Sequence, residues 1–329
     1  MQALEACTVD FFYVTILIMK RVGILRGGTG QHYVSSLKRG GEIILHIVEN
    51  LSDKYKVVDI LVDKDHVWHL GGLPISPSDL AHRVDVVWNA SHPTYSNILD
   101  SLSIPNIGAS SFLVALGNSR DMLREHMKRI GVNIPRSMVL PVYQKDFDPR
   151  YAEGSGEASG SRKQYSIRKA KQVFEKFGAP WIVKSFTSDF DMVIHLAKTF
   201  NELVAGIEDG VKNKKSILVE EFIPGKIASV HSVPNFRGED VYTFPLGNSF
   251  GIFSAEEKEK LANISKNLHK HAYAKHYLKS DFVLTPRGKI YLLQIELHPD
   301  LNSGSHFSQV CESVGAKMHH IVEHILEQV

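Results

Sequence analysis

The sequence predicts an α/β and α+β protein: a parallel sheet with helices on its faces at the N-terminal end, followed by lobes that mix strands and helices. Three observations carry that class. Apolar runs of strand length alternate with helical stretches through residues 22–89, the rhythm of βαβ units. A segment at 143–164, rich in Gly and Ser and lacking apolar periodicity, separates that part from the rest. Near the C-terminus two apolar runs flank Pro286-Arg287-Gly288, the signature of a hairpin turn.

Taken in order, Val22-Gly23-Ile24-Leu25 reads as a buried strand that runs into Gly27-Gly28-Thr29-Gly30. A helix is expected at 40–52, strands at 56–62 and 84–89, and a helix at 119–130 that leads to Pro135. The segment 143–164, with Gly154, Gly156 and Gly160, is expected to be a loop, and a loop of that length is usually functional. Beyond it come a helix at 167–177, strands at 181–184, 216–221 and 241–244, and a helix at 255–277. The hairpin takes 282–285 and 290–295. A last helix at 315–327 repeats Met318, Ile321, Val322, Ile325 and Leu326 at helical spacing.

At 329 residues the chain is long for one core and suggests two or three subdomains. Hydrophobic residues at 43% and charged residues at 22% suit a soluble globular protein, and a net charge of +2 is too small to argue for a nucleic-acid footprint. Cys7 and Cys311 are the only cysteines, which excludes a disulfide framework and a cysteine metal cluster and fits a reducing cytoplasm. The apolar run from Phe11 to Met19 is too short to span a bilayer and follows the acidic Glu5 and Asp10. Residues 1–18 are expected to be an upstream extension, with Met19 as the start; an extra strand or a membrane-associating segment is the competing reading.

Four constellations carry chemistry. Gln294 and Glu296 lie two apart on a strand and share a face, and Asp281 on the partner strand can meet them. Such oxygen ligands suit Mg²⁺, although spacing alone favours an ordinary solvated hairpin face. Val219-Glu220-Glu221-Phe222-Ile223-Pro224-Gly225 is a strand ending in a Pro-Gly turn. Lys184 ends an apolar strand and Arg120 opens a helix after Ser119; either alone would be a surface charge. The Gly27-Gly28-Thr29-Gly30 run with Ser36-Leu37 is a strand-to-helix turn. His320 and His324, with His269, His271 and His276, read as a solvated face rather than as a zinc site.

On these residues the chain resembles the D-alanine–D-alanine ligases of the ATP-grasp superfamily, over 21–329. The match is densest in Lys279-Ser280-Asp281, the hairpin, Gln294-Ile295-Glu296, and Pro299-Asp300-Leu301-Asn302 with Ser305. The resemblance implies an ATP-grasp fold with an N-terminal α/β domain at 19–112, a central lobe at 113–210 and a C-terminal lobe at 211–329 that carries the metal hairpin. It implies ATP and Mg²⁺ (or Mn²⁺) as cofactors, D-alanine or a similar amino acid as substrate, an acyl-phosphate intermediate, and a place in peptidoglycan precursor synthesis. A homodimer is usual for the family; no membrane or nucleic-acid partner is expected.

The residues that the resemblance assigns are Asp281, Gln294 and Glu296 for metal, and Arg120 and Lys184 for phosphates. Glu220, Glu221, Phe222 and Ile223 form the adenine hinge, Lys279 neutralises the transferring phosphoryl group, and Ser305 contacts the second substrate's carboxylate. His32 stands where the family has the Glu that holds a substrate ammonium. Other departures matter too. The family's Glu-x-Asn reads Gln294-x-Glu296, and Lys279 replaces an Arg, keeping charge without the bidentate fork. The Gly-rich phosphate loop after Lys184 is replaced by Ser185-Phe186-Thr187-Ser188-Asp189-Phe190. The lid is reduced to Gly247-Asn248-Ser249-Phe250, and another family loop to His92-Pro93-Thr94-Tyr95. These departures keep two alternatives open: a diverged ligase with another amino-acid or amine substrate, and a non-catalytic nucleotide-binding protein.

Overall fold

A computed structural model describes residues 19–28, 33–143, 158–186, 192–247 and 251–329. The expectation about residues 1–18 lies outside them.

The first sheet is built from β1 (Lys20–Gly27), β2 (Tyr55–Val62), β3 (Trp68–Leu70), β4 (Leu73–Ile75), β5 (Val86–Asn89) and β6 (Asn106–Ile107), with α1 (Tyr33–Asn50) and α2 (Thr94–Ser101) between them. Its strand order is β4-β3-β2-β1-β5-β6. The β2-β1-β5-β6 part is parallel and β3 and β4 add antiparallel strands at one edge. The buried run Val22, Ile24 and Leu25 explains why β1 is central: a strand covered on both faces loses its alternation. Gly27 ends it at φ 90°, with the position of a Cβ only 2.2 Å from the Val62 carbonyl oxygen, so no side chain fits there.

α1 starts at Tyr33, seven residues before the predicted helix at 40–52. Gly40 and Gly41 hid the pattern, since glycine is a poor helix former. Gly40 is there for packing: a Cβ would lie 2.8 Å from the Arg26 side chain. The His92-Pro93-Thr94-Tyr95 stretch, expected to be a shortened loop, opens α2, and Tyr95 is buried.

Next come α3 (Ser111–Asn118), α4 (Arg120–Arg129), β7 (Ser137–Leu140), α5 (Ala158–Lys176), β8 (Trp181–Ser185), β9 (His195–Ala197), α6 (Phe200–Lys212) and β10 (Ile217–Glu221). The second sheet is antiparallel, in the order β7-β10-β8-β9. α5 and α6 cover one face through Val173, Phe177, Leu203 and Ile207. α5 reaches back to Ala158, so the expected loop at 143–164 is helical at its end; its Gly- and Ser-rich start carries no apolar signal.

The third sheet, β12-β11-β13-β14, is antiparallel and uses β11 (Lys226–Pro234), β12 (Val241–Thr243), β13 (Leu278–Leu284) and β14 (Ile290–Glu296). α7 (Ala255–His271) packs on one face and ends six residues short of the predicted 277, because Tyr273 turns into the left-handed region at φ 51°. Leu113, Leu116, Leu123 and Met127 of α3 and α4 share that core with Leu278, Phe282 and Leu292. The chain closes with α8 (His306–Ser313) and α9 (Met318–Glu327), whose Ile321, Val322 and Ile325 join Val22, Ile24 and Ile47 of the first unit.

α3 and α4 pack with the third sheet, and β10 at 217–221 belongs to the second. Among the described residues no helix is long and apolar enough to cross a membrane.

Candidate active site

One face of the third sheet carries two rows of polar side chains. Ser229 of β11 lies opposite Asp281 of β13, and Asp281 opposite Gln294 of β14. One step along, His231 faces Lys279 and Lys279 faces Glu296. The third strand joins the rows only because its register slips between Asp281 and Phe282: Phe282 pairs with Leu292, but Asp281 pairs with Gln294. Leu292 points into the core at 0% exposed. On a regular strand Gln294, two residues on, would follow it there; the extra residue at Leu293 re-aims the strand end.

The rows are closely bonded. Gln294 Nε2 donates to Asp281 Oδ2 at 2.8 Å and to Glu296 Oε1 at 3.0 Å. Lys279 Nζ reaches Glu296 Oε1 at 3.1 Å and Asp281 Oδ2 at 3.4 Å. Ser229 Oγ donates to Asp281 Oδ1 at 2.5 Å. Burial opposes the charge on Lys279, but the Asp281 and Glu296 carboxylates outweigh it and hold the ammonium above the usual lysine range.

The same residues can be tested against a divalent cation. Their donors are two carboxylates and one amide oxygen, and among the described residues no three His, Cys, Asp or Glu side chains gather as a metal site. Mg²⁺ does not need three: one or two carboxylates plus nucleotide phosphates suffice. Three oxygen-bearing side chains on one sheet face fit one such ion, with the Gln294 amide turned to present its oxygen. A carboxylate at position 294 would be needed to bridge a second.

The second cluster lies on the second sheet. Lys184 of β8 and Glu220 of β10 are diagonal neighbours on one face, since Lys184 pairs with Leu218. Lys184 Nζ sits 2.8 Å from Glu220 Oε2, and Arg120 forms an ion pair with the other carboxylate oxygen. Arg120 and Glu220 are 8% and 3% exposed, so this is a buried pair. Ser119 caps α4 by accepting the Met122 N–H at 3.3 Å, which sets Arg120 as the first helical residue. Burial lowers the Arg120 pKa against the pull of Glu220. The cations and Glu220, predicted for phosphates and for the hinge, thus meet at one carboxylate.

The remaining predicted residues are placed apart. Glu221 turns to Arg136, at 2.9 and 3.0 Å, and that guanidinium holds its carboxyl below the usual range. The Glu221 N–H bonds to the Arg136 carbonyl and the Phe222 N–H to the Pro180 carbonyl; Ile223 follows on the same segment. Ser305 caps α8. His32, Thr187 to Phe190, and Asn248 to Phe250 lie outside the described residues.

Ser229, His231 and Arg136 were not singled out from sequence. The signal for the first two was present: Ser229 and His231 alternate with Ala228 and Val230, but small and polar residues obscure a strand. The histidines read as a solvated face divide. His324 Nε2 bonds to the Pro234 carbonyl at 2.8 Å, whereas His269 is 2% exposed with Nδ1 2.8 Å from Ser232 Oγ. That expectation fails for His269, because α7 turns it toward the sheet.

Three sheets in this order make an ATP-grasp fold. Solved structures share it. D-alanyl-alanine synthetase A from Vibrio cholerae superposes with a TM-score of 0.71 at 18% identity, covering 94% of this chain and 99% of that one. VanG D-Ala:D-Ser ligase from Enterococcus faecalis gives 0.70 at 15% identity, with the same coverage. In sequence, the D-alanine–D-alanine ligase of Azobacteroides pseudotrichonymphae is 20% identical over 348 residues, covering 94% of this chain and all of that protein. The Aquifex aeolicus enzyme of that name is 22% identical, with 93% and 99% covered. No family model matches the chain. Over nearly its full length the chain is similar, at 20% and 22% identity, to these D-alanine–D-alanine ligases.

Proposed function

We propose that the chain is an ATP- and Mg²⁺-dependent ligase that joins the carboxylate of one D-alanine, or of a similar small amino acid, to the amine of a second. The observation that carries this reading is the Lys279–Asp281–Gln294–Glu296 cluster on the open face of the third sheet. The first substrate's carboxylate oxygen takes the γ-phosphoryl group, and ADP leaves. The second substrate's nitrogen then attacks the acyl carbon, loses a proton, and expels phosphate as the amide forms.

In this reading Arg120 and Lys184 bind nucleotide phosphates, which share these cations with Glu220. The backbone at Ile223 is the edge for adenine. Asp281, Gln294 and Glu296 would hold one Mg²⁺, which would supply neutralisation of phosphate charge. Lys279 places its ammonium where negative charge develops on the transferring group. His32 takes the place of a family carboxylate, so its contribution to substrate choice is part of the proposal. A D-alanyl-D-alanine product would serve peptidoglycan precursor synthesis in the cytoplasm, and a homodimer is the expected assembly.

A second reading, a nucleotide-binding protein without turnover, has one observation in its favour. Both phosphate-binding cations and both metal-facing carboxylates already have partners within the protein. Hydroxylamine trapping separates the two. With ATP, Mg²⁺ and D-alanine, the ligase reading predicts alanine hydroxamate from a captured acyl phosphate. Nucleotide binding without hydroxamate from any small amino acid favours the second.

A further inference from the structure

The family resemblance assigns the second substrate's carboxylate to Ser305, but the Ser305 hydroxyl is committed elsewhere. It donates to the Asp300 carbonyl at 2.9 Å and accepts the Ser308 N–H at 3.0 Å as the cap of α8. A hydroxyl has one proton, and a carboxylate can only accept. A side-chain donor for that carboxylate must come from another residue, beside the N–H groups that the first turn of α8 leaves unpaired among the described residues.

The next residue is His306, the end of a polar chain that begins in the core. Tyr277 Oη lies 2.7 Å from His231 Nδ1, and His231 Nε2 lies 2.8 Å from His306 Nδ1. Tyr277 is 4% exposed and His231 2%, with Phe307 stacked on the His231 ring at 4.7 Å. Burial drives the Tyr277 pKa well up, and burial with His306 and Lys279 drives that of His231 well down, so both stay neutral. Either direction of donation would satisfy the two contacts, but among the described residues His231 Nδ1 is the one hydrogen-bond partner of the buried Tyr277 hydroxyl, so the phenol proton goes there. The phenol donates to His231 Nδ1, His231 Nε2–H donates to His306 Nδ1, and His306 carries its proton on Nε2.

That nitrogen lies beside Gly247, where a Cβ would come within 2.9 Å of it. A side chain at 247 would crowd the imidazole edge. His231 faces Lys279 across the β11–β13 ladder, which anchors the chain of bonds to the candidate site. His306 itself is shifted downward by burial and Lys279 and upward by Asp281, so it lies within electrostatic reach of the cluster.

We propose that His306, rather than Ser305, donates to the carboxylate of the second, amine-bearing substrate, and that Tyr277 and His231 are positioning residues that fix its proton on Nε2. The proposal rests on the ligase reading. It makes position 306 a determinant of which second substrate is accepted: one that bears a carboxylate whose carbon lies two bonds from its attacking nitrogen.

The test uses the full chain, Mg²⁺ and a non-hydrolysable ATP analogue, with calorimetry of D-alanyl-D-alanine and of the same dipeptide as its C-terminal amide. Wild type should bind the acid in preference to the amide. His306→Leu should weaken the acid by roughly ten- to a hundred-fold, the scale of one hydrogen bond to a charged group, with binding of the ATP analogue unchanged as the sign of an intact fold. His306→Gln, which can still donate, should recover much of that loss. Equal binding of the acid by wild type and His306→Leu overturns the role of His306 and leaves the ligase reading standing. Failure of wild type to bind D-alanyl-D-alanine or the acid of any other dipeptide of small amino acids, with the ATP analogue bound, overturns both.

Discussion

Gln294 faces Asp281 across a bulged ladder and donates to its Oδ2 at 2.8 Å, so a neutral amide bridges the two carboxylates of the candidate metal site. Gln294→Glu should reverse the local balance. It replaces two hydrogen bonds to carboxylates by like-charge contacts, at a cost of about 2 kcal/mol without metal. Thermal melts in EDTA should show a lower Tm than wild type, and Mg²⁺ should restore more stability to the variant than to wild type. An identical Mg²⁺ response in the two proteins would remove Gln294 from the metal face.

Glu220 neutralises two cations, one of them buried. Glu220→Ala leaves the Arg120 guanidinium buried without its carboxylate and should destabilise the protein by about 3–5 kcal/mol. Lys184→Met should cost much less, because Lys184 is more exposed and Arg120 keeps Glu220. Urea unfolding of the two variants measures the difference. Equal losses would mean that the ion pair with Arg120 is not the dominant contact.

Lys279 is held charged by Asp281 and Glu296. Lys279→Met keeps the stem and removes the ammonium. If this group neutralises the transferring phosphoryl, kcat for phosphate release should fall by about 100-fold or more, with a smaller change in the KM for ATP. Lys279→Arg should retain most of the rate. A rate for Lys279→Met within a few-fold of wild type would place the ammonium in a structural role only.

Acid should destabilise the fold through its buried histidines. Burial lowers His269 and His276 from 6.5 to about 4. Between those values the unfolded chain binds protons that the folded chain refuses, so stability is full above pH 6.5 and declines as pH falls toward 4. For His269, 2% exposed, the full effect is on the order of 3 kcal/mol. Both ring nitrogens of His276 lack a partner among the described residues. His276→Leu should therefore leave stability at pH 7 nearly unchanged and flatten the decline of Tm between pH 6.5 and 4. An unaltered slope would show that His276 protonates freely in the folded state.

Much of the frame was legible in the sequence, and particular residues show where legibility ended. The Val22 to Leu25 run, the 217–221 strand and the Pro286-Arg287-Gly288 turn declare themselves by local pattern. The expected α1 was shortened by two glycines, of which Gly40 serves packing against Arg26. The second and third sheets could not be separated, because β11, the centre of the third, was hidden by the small and polar residues that make one of its faces a site. The pairing of Asp281 with Gln294 depends on a one-residue register slip, which no spacing rule announces. The meeting of Arg120, Lys184 and Glu220 joins positions a hundred residues apart, and only the folded packing of α4 against the second sheet brings it about.

The most direct test of the ligase reading is product formation. Purified full-length protein, incubated with ATP, Mg²⁺ and D-alanine, should release phosphate in step with a dipeptide identified by mass spectrometry, and substitution of Asp281 by Asn should suppress both. Binding of ATP without phosphate release or amide product, across D-alanine and a panel of small amino acids and amines, would contradict it.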